Sequence, residues 1–182
     1  MNSILIFCTT CRKYLIYGAE QADEYDLSSY TDYSSFYEDF LKNNEDEAEP
    51  ELDILDIDDS SYWPFIERSP SNSLISQFIY FLNLEEEDQK LLADYMEATG
   101  RTADSLEELM KFEKAAHEKH VAREKDFFNF AWDRMNEELE CCGILDEKAR
   151  RYFLNRMDIK SFEDELKESY GHGSNGNIFL LT

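Results

Sequence analysis

The chain has 182 residues, with 41 Asp plus Glu against 18 Lys plus Arg, a formal net charge of −23. A field of that sign and size opposes approach to DNA, RNA or an anionic membrane and directs the search for partners toward cationic surfaces or cations. Aromatic residues at 14% and apolar residues at 42% are too much burial material for an acidic random coil, so the chain is expected to fold as one ordinary domain or a few small ones.

From the N-terminus, Ser3 to Cys8 is apolar and β-branched enough for a strand. Tyr14-Leu15-Ile16-Tyr17 before Gly18 reads as a second, with the turn between them over Thr9 to Lys13. Asp32 to Leu41 places Tyr33, Phe36, Tyr37, Phe40 and Leu41 at helical spacing, with Thr31 as N-cap. Leu52, Ile54 and Ile57 predict a third strand whose alternation slips after Ile54. Trp63-Pro64 and Ser69-Pro70 mark a domain boundary. Beyond it the pattern is helical. One stripe runs Leu74, Ile75, Phe78, Ile79 and Leu82, and a second helix covers Glu85 to Thr99, closed by Gly100. A third starts near Asp104 with Leu106, Leu109, Met110 and Phe112 inward, and a fourth spans Lys125 to Cys142. Asp146 caps a short helix to Asn155, Ile159 to Tyr170 forms another, and a Gly-rich turn over 171–176 leads to a last strand, Asn177 to Leu181. The class is α+β, divided as 1–70, 71–119 and 120–182.

The charge is uneven along the chain. Glu20 to Glu67 holds 17 acids and one base, whereas Lys111 to Lys160 holds 11 of each. In the acidic stretch the carboxylates alternate with aromatics, as in Phe36-Tyr37-Glu38-Asp39-Phe40. A fold that holds them in place works against their mutual repulsion. No apolar run reaches the roughly 18 residues of a membrane span, and Met1 to Cys8 lacks the basic start of a signal peptide, so the expected location is the cytoplasm.

Few local motifs carry chemistry. A redox CxxC usually opens a helix, whereas Cys8 of Cys8-Thr9-Thr10-Cys11 is expected to continue a strand, and Cys141-Cys142 are adjacent, so reduced structural thiols are expected in preference to zinc or redox chemistry. Asp56 to Glu67 has oxygen ligands at EF-hand positions 1, 3, 5 and 12, but Ser61 stands where the loop needs glycine and Pro64 stiffens it. His117 and His120 fall one helical turn apart amid Lys114, Lys119 and Arg123, which reads as a solvated mixed-charge helix. No nucleophile elbow, zinc-protease, P-loop or dinucleotide pattern is present, so no catalytic residues, metal ligands or cofactor are expected. What remains is the charge. At one phosphate per about 1.7 Å of duplex axis, 23 charges match about 12 base pairs, or roughly 40 Å.

Several short segments carry a family resemblance. They are Ile4 to Phe7 with Lys13-Tyr14, Gly18 and Tyr25-Asp26-Leu27; Glu51 to Asp56; the helix pair Leu74 to Leu82 and Glu85 to Gly100; Phe130-Ala131 with Asp133, Glu137 and Glu138; and Tyr152-Phe153, Asp158, Phe162, Leu166 and Ile178-Phe179. Together they resemble the ArdA antirestriction family over nearly the whole chain. The CxxC, Ala19-Glu20 after the first glycine, and Asn129 depart from the family pattern. The resemblance implies an elongated molecule of three modules and a head-to-tail homodimer whose acidic surface imitates bent duplex DNA. It further implies carriage on a mobile element, no cofactor, and inhibition of type I restriction–modification enzymes through the methyltransferase core with its specificity subunit. The carboxylates that would stand in for phosphates are Asp32, Glu38, Asp39, Glu51, Asp53, Asp56, Asp58, Glu86, Glu87, Asp94, Glu107, Glu108, Asp133, Glu137 and Glu138. Two other readings of the same charge are a module that sequesters a basic nucleic-acid-binding protein, and a cation-binding protein working through Asp56 to Glu67.

Overall fold

The computed structural model describes residues 4–58 and 71–181. Among them are eight α-helices and two three-stranded antiparallel sheets, an α+β fold. The chain forms two compact units, 1–89 with 102–111, and 90–101 with 112–182. Residues 71–119, expected as a central domain, are shared between the two.

The first unit is built on β1 (Leu5–Thr10), β2 (Asp23–Asp26) and β3 (Leu52–Asp58) in the order β2-β1-β3. Ile6, Cys8 and Tyr25 turn inward by the two-residue period of a strand and meet Phe36 and Phe40 of α2 (Tyr33–Asn43), with Tyr25 edge-on to Phe36 at 5.4 Å. Helix α3 (Asn72–Leu82) adds Leu74, Ile75, Phe78 and Ile79 to the buried set. The alternation slip after Ile54 has a physical counterpart. Phe7 pairs with Asp56 but Cys8 pairs with Ile54, so Leu55 is the extra residue of a β-bulge. The bulge lets Ile54 and Ile57 share one face, although they are three residues apart.

Two sequence expectations change in this unit. Tyr14 to Tyr17 is not a strand but the end of helix α1 (Cys11–Tyr17). Both edges of β1 are occupied by β2 and β3, leaving no ladder for a hairpin partner. The helix is stopped at both ends instead. The Thr10 hydroxyl accepts from Lys13 N–H, and Gly18, at φ +66°, donates its N–H to the Tyr14 carbonyl. In α2 the N-cap is Asp32, one residue beyond Thr31, in a reciprocal capping box with Ser35.

The second unit takes its part of α4 (Glu86–Thr99) and α5 (Leu106–Lys119), then β4 (His120–Arg123), α6 (Phe127–Cys141), α7 (Glu147–Leu154), α8 (Ile159–Leu166), β5 (Tyr170–His172) and β6 (Asn177–Leu180). Its sheet has the order β4-β6-β5, with β6 buried at the centre. Ala131, Met135 and Leu139 of α6 pack with Leu154 and Ile159 of the two short helices. Phe127 and Phe130 of the same helix pack with Ile178 of the sheet. The helix expected to reach Tyr170 stops at Leu166, because Tyr170 and Gly171 pair with Leu180 and Phe179. His120 opens a strand, so His117 and His120 do not share a helix. Met110, expected inward, is exposed.

Candidate functional site

The uneven charge also divides between the two structural units. The first unit holds 24 acids against 5 bases, net −19, and the second 17 against 13, net −4. Its strongest local arrangement is the sheet face turned away from α2. There Phe7 lies opposite Glu24 on one side and Asp56 on the other, and Leu5 lies opposite Asp26 and the Asp58 position. Adjacent strands are about 4.8 Å apart and alternate residues about 6.7 Å apart. Acidic positions therefore flank an apolar centre strand in two rows about 10 Å apart, each row stepping about 6.7 Å. Glu24 and Asp56 are exposed, while Asp26 is half-buried and accepts from the Ser28 N–H and hydroxyl at 3.0 and 2.7 Å.

Of the anticipated carboxylates, Asp53 and Asp56 lie on this sheet and Glu51 immediately precedes β3; Asp58 belongs to it by register. Glu38 is exposed on α2. Others serve the fold itself. Asp32 caps α2, and Asp39 accepts from the Tyr30 hydroxyl at 2.8 Å. Burial, followed by that bond, raises the Tyr30 pKa. Glu86 and Glu87 are exposed in the first turn of α4. Glu107 pairs with Lys111 at 2.8 Å, which lowers its pKa, and Glu108 accepts from the Asp104 N–H at the start of α5. In the second unit Glu137 pairs with Arg134 at 2.9 Å, while Asp133 and Glu138 are exposed.

Asp94 is a correction. It is fully buried and cannot present a charge to a partner. Its two carboxylate oxygens accept from the backbone and side-chain amides of Asn175 and Asn177, four bonds of 2.7 to 3.0 Å. Conversely, Asp23, Glu24 and Asp26 are not among the anticipated carboxylates, since Asp-Glu-Tyr-Asp is short and acidic enough to read as a loop. The one signal for β2 is Tyr25 placed alone between acids, half of a two-residue alternation.

Cys8 is buried on β1, where desolvation, with Asp53 and Asp23 adding negative charge, pushes its thiol up to about 12. Cys11 opens α1, and burial with Asp53 and Glu51 raises its thiol too. A thiolate is therefore disfavoured at both cysteines, although Cys11, contrary to a CxxC lying wholly on a strand, does open a helix. Among the described residues no group of three or more His, Cys, Asp or Glu is gathered to hold a metal ion. The EF-hand-like stretch beyond Asp58 and the Trp63-Pro64 and Ser69-Pro70 boundary lie outside the described residues. No helix among the described residues is long and apolar enough to cross a membrane.

Fold and site thus define an α+β protein with its acidity concentrated in one unit and a sheet face lined by carboxylate positions. Compared with protein-family models, characterised proteins and solved structures, the chain has no match.

Proposed function

We propose that this protein is an antirestriction protein of the ArdA type, a mimic of duplex DNA that inhibits type I restriction–modification enzymes by occupying their DNA-binding site. The observation that carries the reading is the pair of acidic rows flanking β1, in a unit of net −19. A surface built to hold phosphates uses Arg and Lys side chains, and carboxylates at spaced, fixed positions recruit those same donors. The mechanism is competition, with no covalent step and no cofactor. The working form is a homodimer in the cytoplasm, and the contacted partner is the methyltransferase core with its specificity subunit.

A purified type I methyltransferase bound to labelled duplex DNA and titrated with this protein at two salt concentrations tests the reading. Displacement that weakens as salt rises supports it. No displacement by folded protein overturns it and leaves sequestration of another basic protein as the reading of the charge.

A further inference from the structure

The acidic rows account for a phosphate mimic, but α1 does not belong to that description. Tyr14, Leu15, Ile16 and Tyr17 are consecutive and expose 45%, 85%, 58% and 52% of their surfaces, and the helix buries no residue at all. Seven residues gain little from helix propensity, and a helix this short normally survives by burying an apolar stripe. Here the caps at Thr10 and Gly18 hold it, together with Lys13, which donates to Asn44 Oδ1 at 2.8 Å and pairs with Asp46 at 3.4 Å. An exposed apolar ridge of two aromatic and two aliphatic side chains on a capped helix is a marker of a contact surface.

Its surroundings select the occupant. At the first turn a cleft of about 180 Å³ is lined by Cys11, Arg12, Glu47, Ala48, Glu49 and Glu51. Past the last turn come the exposed Glu20, Asp23 and Glu24. The ridge is an apolar centre with a mainly acidic rim, the anatomy of a protein–protein interface whose partner carries apolar side chains inside a basic rim. Symmetric pairing of two copies through this ridge fits poorly, since it would bring one net −19 unit against another.

We infer that α1 is an apolar anchor for a basic protein surface, giving the complex a contact that DNA itself does not offer and that salt does not screen. The chemistry of the partner follows from the ridge and its rim. Its identification with a restriction methyltransferase rests on the preceding proposal.

The test compares wild type with the double variant Leu15→Ser/Ile16→Ser, and with Leu15→Ser alone in case the double variant misfolds by circular dichroism. Two labelled peptides of equal length and charge serve as probes, one a Lys–Leu amphipathic helix and one a Lys–Ser chain. Wild type should bind the Lys–Leu peptide about tenfold tighter or more, and the variants should lose that preference while holding the Lys–Ser peptide equally well. No preference in wild type, or a preference kept by the double variant, overturns the inference. So does sedimentation showing a wild-type dimer that the variant dissolves, because the ridge would then be a self-contact.

In the methyltransferase assay the double variant should need about tenfold more protein for half displacement at both salt concentrations. Equal potency there would overturn the anchor and leave the DNA-mimic reading standing. Failure of wild type to displace DNA would instead overturn the mimic reading, and the peptide comparison would still decide the anchor.

Discussion

Asp94 ties the turn and last strand of the second unit to α4. Four amide donors from Asn175 and Asn177 converge on one buried carboxylate, and a Cβ at the neighbouring Gly173 would overlap its side chain. Asp94→Ala leaves all four donors without an acceptor inside the protein, a loss of about 3 to 5 kcal/mol. Asp94→Asn turns one acceptor into a donor facing donors and is expected to be nearly as costly, whereas Asn175→Ala removes one side-chain donor and costs about 1 kcal/mol. Urea midpoints of the three variants check that order. Cys8 gives a pH signature in the other unit. Its thiol pKa is raised in the folded state, so the native protein holds the proton where the unfolded chain has released it. The stabilisation is complete below the ordinary value of 9 and falls as pH climbs toward about 12, by up to about 1.4 kcal/mol per pH unit. The upward shifts of Tyr25 and Tyr30 add loss of the same sign above 10. Cys8→Ala should flatten the first part of the decline in an alkaline unfolding series. Retention of the full slope between pH 9 and 10 would show that this thiol is not its source.

At the scale of elements, charge and structure share the same residues. Asp32 stood in the sequence as a phosphate substitute, and in the fold it is the N-cap of α2. The two roles separate by substitution. Asn caps a helix about as well as Asp, so Asp32→Asn should leave the melting temperature nearly unchanged, while Asp32→Ala should cost about 1 kcal/mol. A loss from Asp32→Asn as large as that from Asp32→Ala would mean that the charge, not the cap, carries the stability. This double use marks how far the sequence could be read. Helices with a long apolar stripe, such as Leu74 to Leu82 and the α6 segment, were legible because many positions repeat one period. β3 was legible apart from its bulge, which appeared as broken alternation around Leu55. The α1 run was misread because Tyr-Leu-Ile-Tyr favours a strand by propensity, and only the full sheet order shows that β1 has no free edge. β2, β4 and β5 were missed because three or four residues carry too little period to register. The carboxylate rows were half legible: β3 supplied Asp56 and the Asp58 position, but their counterparts on β2 needed the register against Leu5 and Phe7. The loss of Asp94 from the surface could not be read locally, since its partners lie more than 80 residues away.

For the whole molecule, the two consequences of its charge respond to salt in opposite directions. Nineteen of the 23 excess negative charges sit in one unit, where repulsion among carboxylates opposes the folded state. Sodium chloride shortens the Debye length from about 30 Å at 0.01 M to about 10 Å at 0.1 M, which screens that repulsion. The melting temperature should therefore rise with salt across this range. Over the same range the grip on a basic partner should weaken, because it is an attraction of the same long reach. Neutralising acids should act in parallel. One exposed change such as Glu38→Gln is worth little alone, within about 1 kcal/mol of binding. Neutralising Glu24, Glu38, Glu51, Asp53 and Asp56 together should raise the melting temperature at low salt, reduce binding sharply and flatten its salt dependence. Loss of binding from one of these carboxylates alone, with the salt slope intact, would point to a discrete site. A block variant that binds as tightly as wild type would remove the acidic surface of the first unit from the interaction altogether.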